Sequence, residues 1–205
     1  MPRSKEDFQK LQEERRTAIL YSALRLFALR GYDSVSIDDI TKDAKCSHGL
    51  FYHYFDSKED LFNDMMIRIK EKWADTAKLD FSQKPKFIIR ELIDFYLEKL
   101  NMGDDIAYML FFFLTFHFQK KLPIAGSRHE KPKKDKLFYK VIDVVKRGQE
   151  EGEFQEGDPR EYAIVFFSCL KGLTHNRIHL GKKVFFTPKA ETLMNLFIRK
   201  DIPNA

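Results

Sequence analysis

His48, Tyr52 and His53 fall within one short segment of this 205-residue chain, with Ser47, Gly49 and Leu50 beside them and Lys58 shortly after. Imidazoles, a phenol and an ammonium this close together can donate to phosphate oxygens and base edges. They lack the company that catalysis needs: no nucleophile motif, Gly-rich phosphate loop or carboxylate pair stands out. Farther on, His175 and His179 are four apart and would share a helical face. No third ligand lies nearby at a telling spacing, so neither a metal nor another cofactor is expected. The two cysteines, Cys46 and Cys169, are far apart and fit a reducing compartment.

The serines mark the scaffold for these donors. Ser36, Ser47 and Ser57 are placed like the N-caps of three consecutive helices, and Ser36 and Ser57 have Asp39 and Asp60 three residues on, an approximate capping box. Two very short helices then flank a turn at 44–47. Helices this short are marginal alone and must be held by packing, as in a helix-turn-helix whose second helix enters the DNA major groove. Ile37, Ile40, Ala44, Phe51 and Phe55 would supply the core, leaving His48, Gly49, Leu50, Tyr52 and His53 facing outward. Gly49 is expensive in so short a helix, which suggests a close approach by the DNA backbone or a base edge. Lys58 falls in the first turn of the next helix, where its charge opposes the dipole but an ammonium beside backbone N–H groups could clamp a phosphate. Ser36, Ser47, His48, Gly49, Leu50, Tyr52, His53 and Lys58 are thus the expected DNA-binding residues.

The same stretch resembles the DNA-binding segment of the TetR family of bacterial transcription regulators. Ile40, Ala44, Ser47, Gly49, Tyr52, Tyr54, Phe55, Lys58, Glu59 and Leu61 stand in the family's order and spacing. Two positions depart from it, Thr41 where the family usually has Ala and Lys45 where it usually has Gly. If Lys45 must take a positive φ, its Cβ costs on the order of 1 kcal/mol. The resemblance implies that Tyr52 binds phosphate and that the protein is a homodimer on a pseudo-palindromic operator. It also implies a four-helix bundle made by the eighth and ninth helices across the two-fold axis, and repression relieved by a small ligand. The run Arg147 to Phe154 and the later Gly172-Leu173 resemble the family's regulatory domain.

The whole chain reads as all-α, with a helix-turn-helix head over 1–60, including the start of a fourth helix, and a ligand-binding and dimerisation body over 61–205. Residues 1 to about 12 read as a solvated arm, and Ile19, Ala23, Leu26 and Phe27 mark a first helix from about Glu13 to Arg30. Leu61, Phe62, Met65, Ile69 and Trp73 form the stripe of a fourth helix that leaves the head for the body. Pro85 opens a fifth, ended near Gly103. The sixth is apolar on almost every side and so should be buried. Residues 119–135 read as a long loop. A seventh helix ends near Gly152, Asp158-Pro159 opens an eighth with Gly172 suggesting close helix approach, and Thr187-Pro188 opens a ninth.

The formal net charge of +5 is not concentrated in the expected DNA-binding head. Residues 1–60 carry 10 Lys/Arg against 11 Asp/Glu, while residues 120–147 carry 10 against 3. DNA affinity must therefore come from local placement of donors and from dimerisation. No apolar run is long enough to span a membrane, and the charged N-terminus lacks a signal-peptide core, so a cytoplasmic location is expected.

The resemblance, with no catalytic constellation beside it, implies a non-enzymatic, ligand-responsive repressor. Tyr96, Tyr108, Phe112, Phe116, His117 and Phe138 are the candidate ligand-binding residues, for an apolar effector of neutral or anionic character. Phe166, Leu170, Leu173, Leu193 and Phe197 are expected at the dimer interface, because the last two helices expose more large apolar residues than one body can cover. The rival readings are a helical ligand-binding module without operator binding and an all-α enzyme; against the latter, His117 is the only acid, base or nucleophile within the apolar helices.

Overall fold

The computed structural model describes residues 5–72, 79–116 and 136–198. Among them the protein is all-α, with nine helices and one isolated bridge, Phe154 to Ile198, in place of a sheet. The described residues divide into two compact units, a head of 5–72 and a body of 79–116 with 136–198. All of the described fourth helix thus falls in the head unit.

The head holds α1 (Lys5–Arg30), α2 (Ile37–Asp43), α3 (His48–Tyr54) and α4 (Lys58–Lys72). α1 starts earlier than its apolar spacing predicts. Glu6 and Asp7 occupy its first turn, where carboxylates complement the helix dipole, and residues 6–10 are solvated. Its buried face, Ile19, Ala23, Leu26 and Phe27, meets α4 through Phe27 and Phe62, whose ring centroids lie 6.2 Å apart. Ion pairs from Arg16 and Arg68 to Asp64, and from Arg68 to Glu13, tie the outer edges of α1 and α4.

The body holds α5 (Pro85–Met102), α6 (Asp104–Phe116), α7 (Lys136–Glu150), α8 (Pro159–Leu180) and α9 (Ala190–Met194). α8 begins as its sequence predicts, with Asp158 accepting from the backbone N–H of Arg160 at 2.8 Å and Pro159 in the first turn. Two helices depart from expectation. α6 buries Ala107, Leu110, Phe112 and Leu114, but Ile106, Tyr108, Met109, Phe111 and Phe113 are only half-buried. α9 has only five residues and starts at Ala190, because the chain then turns out to pair Phe154 with Ile198 and to give the carbonyl of Phe197 to the N–H of Gln155 at 2.8 Å. A five-residue helix cannot supply half of an extended four-helix bundle.

That turn seats Phe197 among Phe154, Tyr162 and Phe166, with ring centroids 5.4 to 6.1 Å from its own. Gly148 on α7 makes room for the cluster, since a Cβ there would lie 2.1 Å from the Phe154 ring. Phe166, Leu170, Leu193 and Phe197 are all buried within the protomer, so the expectation that they meet a second copy is corrected. Leu173 alone of that set is half-buried.

Candidate DNA-binding surface

Ser36 caps α2 by a reciprocal box. Its Oγ accepts from the Asp39 N–H at 3.1 Å, and Asp39 Oδ2 accepts from the Ser36 N–H at 2.9 Å and its hydroxyl at 2.6 Å. These donors hold the Asp39 carboxyl below the ordinary range, the Ser36 hydroxyl contributing most. Ser47 caps α3, its Oγ accepting from the Leu50 N–H at 3.2 Å. Between the two helices Lys45 adopts a φ of 52°, the one positive φ outside glycine among the described residues.

α3 is held by its inner edge. Phe51 and Phe55 are buried with centroids 5.7 Å apart, and Ile40 of α2 is fully buried. The opposite edge carries His48, Gly49, Tyr52 and His53, all exposed, with Leu50 half-buried at the margin. A Cβ on Gly49 would meet only the Ser47 Oγ, at 3.9 Å, so nothing inside the chain requires glycine there. His48 Nε2 lies 3.1 Å from Asp38 Oδ1 on α2, a contact that spans the turn and that residue spacing does not reveal.

Lys58 is not free for a phosphate. Its Nζ donates to the carbonyls of Tyr32 at 3.0 Å and Val35 at 2.8 Å, and lies 4.3 Å from the centre of the Tyr32 ring. The charge that opposes the α4 dipole is thus spent on two carbonyls of the α1–α2 connection, and the phosphate clamp expected there is corrected to an internal pin. Four of the head's described arginines are similarly engaged: Arg16, Arg25, Arg30 and Arg68 each meet a carboxylate. Lys42 and Lys45 are exposed at the end of α2 and in the turn that leads into α3.

In the body, an apolar pocket of about 40 Å³ lies among Leu92, Phe95, Tyr96, Leu110, Phe113, Leu114, Leu137, Phe166, Phe167 and Leu170. Of the candidate ligand residues whose side chains are described, only Tyr96 lines it, and its hydroxyl is committed to the carbonyl of Leu170 and to Thr174 Oγ1. Burial pushes the Tyr96 phenol well above its ordinary pKa. Phe112 is buried away from the cavity, Tyr108 is half-buried, and Phe138 packs on Phe167 at 5.7 Å. His117 and the Phe116 side chain lie outside the described residues. Among the described residues no group of three or more His, Cys, Asp or Glu could hold a metal, and no helix is long and apolar enough to cross a membrane.

Residues 19–65 match the family model described as bacterial regulatory proteins, tetR family. YuxN of Bacillus subtilis, an uncharacterized HTH-type transcriptional regulator, is 46% identical over 54 residues, which cover 26% of this chain but only 19% of YuxN. YfiR from the same organism, likewise an uncharacterized HTH-type regulator, is 25% identical over 180 residues covering 84% of each chain. The fold is shared with AibR, solved with isovaleryl coenzyme A and operator DNA, at a TM-score of 0.59 and 16% identity over 88% of this chain and 94% of that one. Over residues 19–65, which carry the signature residues and the helix-turn-helix geometry, the chain is thus similar to the TetR family of helix-turn-helix transcription regulators, and its all-α fold is one that a solved regulator shares.

Proposed function

We propose that the protein is a homodimeric, cytoplasmic repressor that binds a pseudo-palindromic operator through α3 and leaves it when a small apolar molecule enters the body. The observation that carries this reading is the two-sided character of α3, fixed inside by Phe51 and Phe55 and bare outside at His48, Gly49, Tyr52 and His53. An open Gly49 lets a backbone or base edge come close. Tyr52 serves as a phosphate donor, Ser36 and Ser47 fix the two helix starts, and Lys42 and Lys45 replace Lys58 as the nearby cations. Gel shifts with promoter DNA test it. Tyr52→Phe should weaken binding to all sequences alike, whereas changes at His48, Leu50 or His53 should alter which sequence is preferred.

The dimer face consists of the uncovered side of α8. Ile164 and Val165 are about half exposed, Ser168 is exposed, and a Cβ on Gly172 would meet nothing within 4 Å. Small residues between apolar ones permit a close helix approach from a second copy, with Leu173 at the margin.

The effector reading rests on the apolar cavity. A volume of about 40 Å³ holds no more than a few waters, so a ligand must widen it, and α6 supplies Leu110, Phe113 and Leu114 to its wall. Only a ligand that favours the widened state over the closed one shifts the equilibrium. No carboxylate lines the cavity to receive a cation, which favours a neutral or anionic apolar molecule. Melting-temperature screens should respond to fatty acids, acyl thioesters and aromatic acids more often than to quaternary ammonium dyes; the opposite ranking contradicts the charge argument.

A further inference from the structure

α5 starts with the wrong charges for a helix. Its first turn holds no carboxylate, and Lys84 and Lys86 flank Pro85 at the positive end of the dipole, an arrangement that costs stability. Lys58 has the same fault at the start of α4, but two carbonyls compensate it. Lys84 and Lys86 have no such compensation. Both are exposed, and among the described residues neither ammonium meets a carboxylate or a carbonyl. A local rule broken without an internal partner is the pattern of a functional position.

Both lysines border an open groove of about 600 Å³ in the body, within the range of roughly 300–1,000 Å³ typical of small-molecule sites. Phe87 and Arg90 line it from α5, and Glu191, Met194 and Ile198 from α9 and the chain just beyond. The walls are fastened internally. Arg90 donates to Asp94 at 2.7 Å and to Glu191 at 2.8 Å, and the Lys86 N–H donates to Glu153 Oε2 at 3.1 Å. The Gln155 side chain donates to the carbonyl of Ile198 at 3.0 Å, so the segment that carries Ile198 is held as well. Arg90, Glu191 and Glu153 thus have partners already, and the two lysines are the lining charges left without one. Beside them Phe87 is 50% exposed, Ile198 is half-buried and Met194 is buried, which sets an apolar surface next to unanswered positive charge.

We propose that this groove binds an amphipathic organic anion, its carboxylate or phosphate held by the Lys84 and Lys86 ammoniums and its apolar body by Phe87, Met194 and Ile198. Lysines act as point charges without a planar fork, so they accept either head group. The positive end of α5 adds to the attraction. The Glu153 carboxylate, already at the helix start, repels the incoming anion and limits its affinity. The groove shares no lining residue with the apolar pocket between α5, α6 and α8, and its ligand binds whether or not the head reads an operator.

Calorimetric titration of the full-length protein with naphthoate, naphthyl phosphate and neutral naphthol tests this, with the two anions separating the two head groups. At least one anion should bind more tightly than naphthol, and its affinity should fall as salt is raised. Lys84→Ala/Lys86→Ala should weaken that anion by about fivefold to tenfold, the scale of two exposed charge contacts, and leave naphthol unchanged. Phe87→Ala should weaken it by about threefold to tenfold through lost apolar contact. Glu153→Gln keeps an acceptor for the Lys86 N–H while removing the repelling charge, and should tighten binding by about twofold to fivefold. The double lysine variant should also melt no lower than the parent, because it removes charges that oppose the dipole; a merely structural role would lower stability and binding together. No binding of either anion, equal affinity for anion and naphthol, an anion affinity indifferent to both lysines, or a lowered melting temperature in the double lysine variant overturns the proposal.

Discussion

The ammonium of Lys58 sits 4.3 Å from the centre of the Tyr32 ring while donating to the carbonyls of Tyr32 and Val35. One side chain at the start of α4 thereby fastens the connection between α1 and α2. The entry to the helix-turn-helix depends on it, because Ser36, the cap of α2, directly follows Val35.

Lys58→Met keeps the aliphatic stem and removes the charge. It should destabilise the protein by about 1–2 kcal/mol, as expected for hydrogen bonds from a charged donor, and leave the salt dependence of DNA binding nearly unchanged. Chemical denaturation and binding at several salt concentrations check this. A salt slope reduced by about 1 with normal stability would return Lys58 to the role of phosphate ligand.

Lys45 holds a φ of 52° in the turn between α2 and α3. Lys45→Gly should raise stability by up to about 1 kcal/mol, since only glycine adopts this conformation without a Cβ penalty. If the lysine also reaches a phosphate, the same substitution should reduce the salt slope by about 1. A destabilised Lys45→Gly would show that the turn is not strained.

These two lysines show what was legible in the sequence. Lys45 stands at the turn position where the TetR family usually has Gly, a local departure that the resemblance made visible. The partners of Lys58 are 26 and 23 residues away, and neither periodicity nor capping reports contacts of that kind. Helix starts were legible for the same local reason, as Ser36, Ser47 and Asp158 cap the helices their spacing marks. The destinations of Phe166, Leu193 and Phe197 were not. An apolar residue near the end of a chain serves equally for a core or an interface until the partner is known, and here the Phe154–Ile198 pairing draws Phe197 inside.

Tyr96 gives the body a pH dependence at the alkaline end. Its pKa is raised by burial above the value near 10 that it has when unfolded. The unfolded chain therefore loses this proton first as pH rises, and the stability that depends on the neutral phenol is fully present below pH 10 and falls above it. Tyr96→Phe should cost about 1 kcal/mol at neutral pH through the lost hydrogen bond and flatten the alkaline decline. Equal alkaline slopes in both proteins would contradict the assignment.

The outer face of α8 separates dimerisation from folding. Ile164→Glu with Gly172→Trp places a charge and a bulky ring on exposed positions, so the body should stay folded and sediment as a monomer that no longer binds operator. Leu170→Glu, by contrast, puts a carboxylate beside the apolar pocket and should lower the melting temperature. A double variant that remains dimeric would move the interface elsewhere.

The central claim is that two copies of this head read DNA together through α3, and sequencing the molecules that the intact protein selects from random double-stranded DNA tests it most directly. The prediction is one enriched two-fold symmetric site with half-site centres about 34 Å apart or a multiple of that spacing. Enrichment of a single asymmetric site would contradict the dimer, and no enrichment at all would contradict operator binding.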